Sequence, residues 1–393
     1  MGYKRLLAFG LMWLVMCASA GAAESLGDVR LVMQERAEGN CRVLIPTLTG
    51  HPDAGVQQGI NRRIAERLRI EELIRTMERS KDWADESGAS GVRMEGEAAI
   101  VGGLLSLVVS IQGELPDGTV GHLYAAYNCE LLTGREVTLD DLFEQPEQGV
   151  ARMEALALDA LEREGINAYL ERAEVAPLPR RDFAVDAQGV TVYYPADQYR
   201  LINGRSGAFR FPYYQIEDYL KRSPVTEALL AQRSAPDDPA ERIRLDMANG
   251  ELPGIPARLR TPMAEYIERY GLMDQPDYTP DGPLYHFEAP RMQGVRLSAA
   301  MYPPDPEDDS EAVINIRATL IDLYGLRPGV SALQDVVALL GPPGDVTALD
   351  AGAAYDMLLP EGESYWYRGE GARLEFHGDK DGLLTAVILH AGD

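Results

Sequence analysis

The histidines are the residues best suited to catalysis or metal binding, and their spacing indicates neither. None stands in an HExxH arrangement or at another short metal-ligand spacing; the five are His51, His122, His286, His377 and His390. The sequence also lacks the GxSxG pattern of a nucleophile elbow. Glycoside hydrolysis needs two carboxyl groups. Among 62 acidic residues such pairs arise everywhere, so they do not indicate a hydrolase. The sequence therefore predicts a protein that is not an enzyme and that uses no metal and no cofactor.

Two acidic runs could offer the oxygen ligands that calcium prefers. Asp305–Glu311 lacks the spacing of an EF-hand, and a solvated loop explains it. Gly378–Gly382 resembles half of a calcium loop, but a hairpin turn explains the same residues. We predict no metal site at either run.

Aromatic residues crowd the end of the first predicted domain and supply the candidate binding site. Rings at alternating strand positions can stack on a glycan or on a protein partner. Half-buried strand packing is the alternative for each ring. The candidate binding residues are Tyr193, Tyr194, Tyr199, Phe209, Phe211 and Tyr213. Tyr365–Tyr367 forms a similar group later in the sequence.

The first 23 residues have the layout of a signal peptide. Lys4 and Arg5 precede an apolar core from Leu6 to Met16, and two Ala-X-Ala sites follow at Ala18–Ala20 and Ala20–Ala22. This layout predicts a secreted, periplasmic or cell-envelope protein without a stable transmembrane segment after processing. An uncleaved anchor is the alternative, since Leu6–Ala23 approaches the length of a membrane span.

The chain is strongly acidic. Its formal net charge is −25, and it becomes −27 when Lys4 and Arg5 are removed with the signal peptide. Such a surface repels nucleic acid and anionic lipid, so we expect no nucleic-acid partner. It attracts a cationic partner, or it serves solubility alone.

Two cysteines remain after processing, Cys41 and Cys129. In an oxidising compartment an even pair is a candidate disulfide. Two free buried thiols are the alternative.

Strand and helix signals alternate along residues 24–222, which predicts an α+β domain of antiparallel sheets with flanking helices. Residues 223–253 are predicted as a linker and a short helix. The rest is predicted as two tandem small helix-plus-hairpin modules, residues 254–320 and 321–393. Helical patterns at Thr261–Gly271 and Ser331–Gly341 lie 70 residues apart, and the same offset aligns Gly282 with Gly352 and Tyr285 with Tyr355. A strand is expected at Ala354–Leu358.

Residues 30–222 carry a series of short motifs in a characteristic order. They include Ile45–Gly50, Tyr127-Asn128, Leu139–Phe143 and Phe209–Tyr213. Together they resemble the extracellular domain shared by the lysozyme-binding anti-sigma-V factor and the N-terminal region of a peptidoglycan deacetylase. The resemblance implies an extracytoplasmic α+β binding module. We expect no transmembrane helix after a cytoplasmic anti-sigma segment, so signal relay is not implied. The deacetylase domain with its metal-binding Asp and His motifs is lacking as well, so deacetylation is not implied.

Residues 254–393 resemble two further groups more weakly. Gly329, Ser331, Asp335-Val336, Gly341 and Pro343 are similar to motifs of small outer-membrane-assembly lipoproteins and of tandem-repeat β-lactamase inhibitor proteins. This resemblance implies a binding scaffold.

Three functional hypotheses follow from the sequence. The first is an exported, non-enzymatic binding protein of the bacterial cell envelope, whose partner is a cationic lysozyme-like protein or a peptidoglycan fragment. The second is a cell-wall-active carbohydrate hydrolase or deacetylase-like enzyme that uses dispersed carboxylates. The third is a structural envelope protein.

Overall fold

The computed structural model divides the chain into two compact units, residues 1–232 and 233–393. It describes residue 26 and the ranges 28–38, 41–80, 92–114, 120–163, 177–186, 188–194, 208–231, 238–272, 275–280, 282–287, 289–301 and 311–392. Both units combine helices with antiparallel strands, which confirms the predicted α+β class. The predicted signal peptide lies outside the described residues.

A five-stranded sheet in the order β1-β2-β3-β4-β5 begins the first unit. The strands are β1 (Arg30–Glu38), β2 (Cys41–Thr49), β3 (Arg93–Val101), β4 (Leu104–Glu114) and β5 (Val120–Glu130). β2 and β3 pair in parallel, and the other neighbours are antiparallel. β3 and β4 form a hairpin around Gly102 and Gly103, whose φ angles of 56° and 82° favour glycine.

Two helices, α1 (Ala54–Arg67) and α2 (Ile70–Ser80), pack on this sheet. The carboxylate of Asp53 starts α1 by accepting hydrogen bonds from the N–H groups of Gly55 and Val56. Ile60, Ile64 and Leu73 are fully buried in the core that these helices share with the sheet. The apolar residues of this buried face recur at helical spacing.

A second core completes the first unit. Its elements are α3 (Pro146–Arg163), β6 (Phe183–Val185), β7 (Gly189–Tyr193), β8 (Ala208–Pro212), α4 (Tyr213–Ile216) and α5 (Pro224–Ala231). β6, β7 and β8 form a three-stranded antiparallel sheet. Leu229 of α5 is buried in this core, and a Cβ atom on Gly102 would lie 2.5 Å from the Ala228 side chain. The first unit therefore continues into the segment predicted as a linker.

The predicted disulfide is wrong, because Cys41 and Cys129 are free buried thiols. Cys41 lies on β2 and Cys129 on β5, with β3 and β4 between them. Three inter-strand steps of about 4.8 Å separate the two strands by roughly 14 Å, whereas a disulfide needs Cα atoms within about 7 Å. Burial raises the pKa of the Cys129 thiol to about 12, so this thiol stays protonated at neutral pH.

The second unit contains one eight-stranded sheet in the order β13-β14-β15-β16-β12-β11-β10-β9. The strands are β9 (Asp277–Thr279), β10 (Gly282–His286), β11 (Val295–Met301), β12 (Glu311–Ala318), β13 (Asp345–Leu349), β14 (Gly362–Gly369), β15 (Ala372–Asp379) and β16 (Leu384–Ala391). Its helices are α6 (Pro239–Ala248), α7 (Met263–Tyr270), α8 (Leu333–Leu340) and α9 (Ala351–Met357).

The two segments predicted as separate modules share this sheet and one core. Each contributes one sheet half, and the halves meet where β12 pairs with β16. α7 and α8 occupy equivalent places in the sequence, and each ends at a glycine of positive φ, Gly271 and Gly341. Residues of both segments, among them Leu297 and Leu389, are fully buried in the same cluster. The tandem arrangement thus forms a continuous layer rather than two separate cores.

The strand expected at Ala354–Leu358 is wrong, because helix α9 covers residues Ala351–Met357. The Asp350 carboxylate accepts hydrogen bonds from the N–H groups of Gly352 and Ala353 and so caps this helix. The 70-residue offset fails at this point, since Gly282 and Tyr285 lie in strand β10. Three alanines in α9 favour a helix, and the pattern comparison ignored that preference.

Candidate binding surface

The aromatic residues predicted to bind a partner lie in the core of the first unit. Tyr193, Tyr194, Phe209, Phe211 and Tyr213 expose 0–6% of their surface. Their rings pack together, for example Tyr194 edge-on to Phe209 at a centroid distance of 5.9 Å. This is the packing alternative and not a surface for stacking on a glycan. Tyr199 lies outside the described residues.

The second aromatic group, Tyr365–Tyr367, divides between the two faces of its strand. Tyr365 and Tyr367 pack against the core of the second unit. Trp366 points to the other face, where its ring lies 5.0 Å from that of His390 and 5.8 Å from the Arg373 guanidinium carbon. This group does not form one aromatic platform either.

A different surface, at one end of the eight-stranded sheet, has the properties of a binding site. β13 is the last strand of the sheet on that side, and among the described residues no strand pairs with its outer edge. Four of its five residues are exposed. Its sequence, DVTAL, contains neither the lysine nor the proline that commonly blocks an edge strand. The outer edge of β13 is therefore a candidate for pairing with another chain, and the Asp345 carboxylate, which accepts from the Val346 N–H at 2.9 Å, would have to give up that bond if the incoming strand uses this N–H.

Apolar side chains accompany this open edge. The edge segment, residues 345–358, comprises β13, Asp350 and α9 with the residue that ends it. It exposes 50% of Val346, 79% of Tyr355 and 38% of Leu358. Leu358 ends α9 in the left-handed conformation, with φ of 53°. Large exposed apolar residues concentrated in one short segment are typical of interaction surfaces.

The sequence that contains the edge segment is acidic. Residues 342–370 contain six carboxylates and one arginine, Arg368. Asp345, Asp350 and Asp356 are exposed within the edge segment itself. Glu361 pairs with Lys380 at 2.7 Å, and Asp350 is engaged at the start of α9. The segment thus offers a strand edge, apolar side chains and negative charge together.

In the sequence, this surface carries a weaker signal than the aromatic clusters do. The detectable signal was short: Val346 and Thr347, both β-branched, lie between Pro342-Pro343-Gly344 and Asp350. That pattern predicts a strand. Its edge position depends on pairing with β14, which the local sequence does not specify.

Two other features lack the properties of a ligand site. A groove of about 370 Å³ in the second unit is lined in part by Met247, Arg258 and Arg260. Arg258 donates a hydrogen bond to the carbonyl of Asn249 at 3.0 Å, and Arg260 donates to that of Gly371 at 3.0 Å. These bonds connect backbone segments, so both arginines have a structural role in the fold.

The Gly378–Gly382 run forms the expected turn between β15 and β16. The Asp379 carboxylate accepts hydrogen bonds from the N–H groups of Asp381 and Leu383, each at 3.0 Å. Within the described part of the chain, no group of three His, Cys, Asp or Glu side chains could hold a metal ion. Of the run Asp305–Glu311, only Glu311 is described. In the same described part, no helix is long and apolar enough to cross a membrane.

The chain matches no protein-family model and no curated protein. It is similar to three solved structures at 15–16% identity. Two are DUF3298 family proteins: BF2082 from Bacteroides fragilis (52% of this chain, 96% of that chain, TM-score 0.36) and PA4972 from Pseudomonas aeruginosa (49% and 94%, TM-score 0.34). The third is the DUF4309 family protein YjgB from Bacillus subtilis (39% and 95%, TM-score 0.28). Both family labels denote domains of unknown function, and neither names an anti-sigma factor or a deacetylase.

Proposed function

We propose that this protein is an exported, non-enzymatic binding protein of the bacterial cell envelope. Its edge segment takes up an extended, cationic stretch of a partner protein, with a lysozyme-like hydrolase as the leading candidate. The open, acidic edge of β13 is the observation that carries this proposal.

Strand addition explains how such an edge would bind. An incoming strand forms main-chain hydrogen bonds with β13 and places alternate side chains against its neighbours. The exposed ring of Tyr355 and the side chain of Val346 offer apolar contact beside those bonds. Tyrosine is among the residues that contribute most to binding energy at interfaces.

Charge selects the partner. The carboxylates around the edge segment repel an acidic strand, including the same segment of a second copy. They attract lysine- or arginine-rich segments, and the net charge of −25 accelerates the encounter. Because this attraction is screened by salt, association should slow as ionic strength rises.

Export rests on the N-terminal sequence, and the resemblance to the anti-sigma-V ectodomain family supports a location outside the cytoplasm. A peptidoglycan fragment is the other ligand that this location suggests. No arrangement of described side chains favours the enzymatic hypothesis in particular.

A binding measurement tests the proposal. The mature protein is titrated with a cationic lysozyme at about 0.02 M and about 0.3 M salt. We expect Tyr355→Ala to weaken binding about tenfold or more, since a tyrosine that contributes strongly to an interface is worth about 1.4 kcal/mol or more. Tyr278→Ala is the matched control, because Tyr278 is also 79% exposed but lies on β9 at the opposite end of the sheet.

Three outcomes would contradict the proposal: no binding, binding that ignores salt, or equal effects of the two tyrosine variants. Competition by muropeptides with unchanged Tyr355→Ala binding would assign the ligand site elsewhere.

A further inference from the structure

A chain of buried polar side chains crosses β14, β15 and β16 on the face of the sheet opposite the core. The Ser364 hydroxyl lies 2.6 Å from Glu375 Oε1 and 2.8 Å from His377 Nδ1. His377 Nε2 lies 2.8 Å from the carbonyl oxygen of Pro360, and His390 Nε2 lies 2.8 Å from Glu375 Oε2. Ser364 and His377 are fully buried, and Glu375 exposes 3% of its surface.

Polar side chains on the same sheet also hold a backbone segment against it. We call residues 358–360, which follow α9, the strap. Arg317 on β12 donates hydrogen bonds to the carbonyls of Met357 at 3.0 Å and Leu358 at 3.2 Å. His377 binds the carbonyl at the other end of the strap, on Pro360.

When Glu375 is ionised and both histidines are neutral, this network of buried polar side chains has one proton fewer than its hydrogen bonds need. The Pro360 carbonyl can only accept, so His377 must carry its single proton on Nε2. Nδ1 of His377 then accepts, and Glu375 Oε1 accepts as well. The Ser364 hydroxyl has one proton for these two acceptors. One of the two short contacts therefore brings two lone pairs together.

The charged surroundings favour that proton-deficient state at neutral pH. Burial lowers the pKa of His377 and Arg317 adds to this effect, whereas the Pro360 carbonyl, Glu375 and Asp379 oppose it. Burial acts to raise the pKa of Glu375, but hydrogen bonds from His390 and Ser364 bring it below its ordinary value. Arg373 lies over Trp366, which packs against His390.

We propose that the Glu375–Ser364–His377 chain is a proton-binding site, which takes up one proton on His377 as the pH falls while the unit stays folded. His377 Nδ1–H then donates to Ser364, and the Ser364 hydroxyl donates to Glu375. The imidazolium Nε2–H donates to the Pro360 carbonyl, and a charged donor makes this bond stronger. Acidification thus supplies a proton for every hydrogen bond of the network and strengthens the bond that holds the strap. This inference stands whether or not the edge segment binds a partner.

Nuclear magnetic resonance of the full-length mature protein tests the site. The ring nitrogens of His377 are followed from neutral pH to about pH 4, in the range where carboxyls and histidines titrate. We expect His377 to change from one protonated nitrogen to two while the amide spectrum stays that of the folded protein. The Leu359 amide donates to the Ala354 carbonyl beside the strap, and its protection against exchange, taken relative to an unstructured peptide at each pH, should rise several-fold over the same titration.

The variant Glu375→Gln gives the sharpest comparison. Its amide can donate to Ser364, which then donates to a neutral His377, while its carbonyl still accepts from His390. The amide of the variant then supplies the missing hydrogen at every pH. The midpoint pH of the His377 titration should therefore fall by at least about one pH unit. Glu363→Gln is the control on the same sheet, because Glu363 is exposed, and it should leave the midpoint unchanged.

A His377 ring that never titrates in the folded protein would overturn the inference, as would equal midpoints in the wild type and Glu375→Gln. If Glu375→Gln does not fold, Ser364→Ala serves instead, since it removes the bridge between the two groups. An unchanged His377 midpoint in Ser364→Ala would equally overturn the site.

Discussion

At the scale of single residues, the polar side chains of this protein mainly hold backbone in place. Arg260 and Arg317 both donate to main-chain carbonyls, and His51 contacts the carbonyl of Leu131 at 2.9 Å. Asn128 donates to the carbonyl of Phe183 at 2.6 Å and so links β5 to the second core. Side chains that look chemically promising in the sequence are thus already engaged in the fold.

Arg135 gives a residue-level prediction of pH dependence. Its guanidinium contacts Glu130 and Asp141, each at 2.7 Å. The hydrogen bond from Arg135 lowers the pKa of Glu130, and for Asp141 hydrogen bonds from Thr138 and Arg135 outweigh burial and lower the pKa too. Lowered carboxyl pKa values add stability above about pH 4, and this stability is lost as the pH falls through the folded-state values.

We therefore expect Arg135→Ala to reduce the free energy of unfolding at neutral pH by up to about 1 kcal/mol, because all three groups are partly exposed. The difference from the wild type should vanish toward about pH 2, where both carboxyls are protonated. Urea denaturation across this pH range measures it. Arg62→Ala, whose contact with Glu66 is 3.8 Å and more exposed, is the control. A loss that persists undiminished in acid would refute the electrostatic explanation.

At the scale of elements, local patterns predicted α7 and α8 but not α9, and they did not predict which strands are neighbours. The buried face of α1 and the glycines that end α7 and α8 follow from spacing within about ten residues. The separation of Cys41 from Cys129 depends on the order of five strands. The cluster of Ser364, Glu375 and His377 depends on strand register. Neither is encoded in a short window, so the sequence left the free thiols as an alternative and gave no sign of the buried network of polar side chains.

Helix α9 provides a prediction at this scale. Asp350→Ala removes the side-chain acceptor for the N–H groups of Gly352 and Ala353. We expect a loss of about 1 kcal/mol in the free energy of unfolding, or local fraying of α9 seen as faster amide exchange. Asp356→Ala is the matched control, since this exposed carboxylate lies near the C-terminal end of the same helix, where negative charge is unfavourable. Equal losses in the two variants would rule out the capping explanation.

At the scale of the whole molecule, composition predicted more than motifs did. The hydrophobic fraction of 46% is consistent with the extensive apolar cores that both units contain. The large negative charge favours a cationic partner or serves solubility alone, and the edge segment is where we propose that such a partner binds. The aromatic candidates failed because aromatic residues are as useful in a core as at an interface.

Export makes a prediction for the entire chain. When the complete sequence is expressed in a bacterium with a general secretion system, we expect protein outside the cytosol whose N-terminus lies between residues 21 and 24. Mass spectrometry of the isolated protein measures this. A version without residues 1–23 is the control and should stay in the cytosol. Full-length protein retained in the cytosol would contradict export.

The junction between β12 and β16 has a consequence for how the second unit acquires its structure. About 70 residues separate these neighbouring strands, and β12 has β11 as its one neighbour until β16 pairs with it. Such long-range pairing slows folding. Until then β12 is an edge strand with Val313 and Ile316 on its apolar face, and β16 of another molecule can pair with it instead. The β12–β16 junction joins the two halves of the sheet. We therefore expect domain swapping of β16 between copies to be the folding error to which this unit is prone.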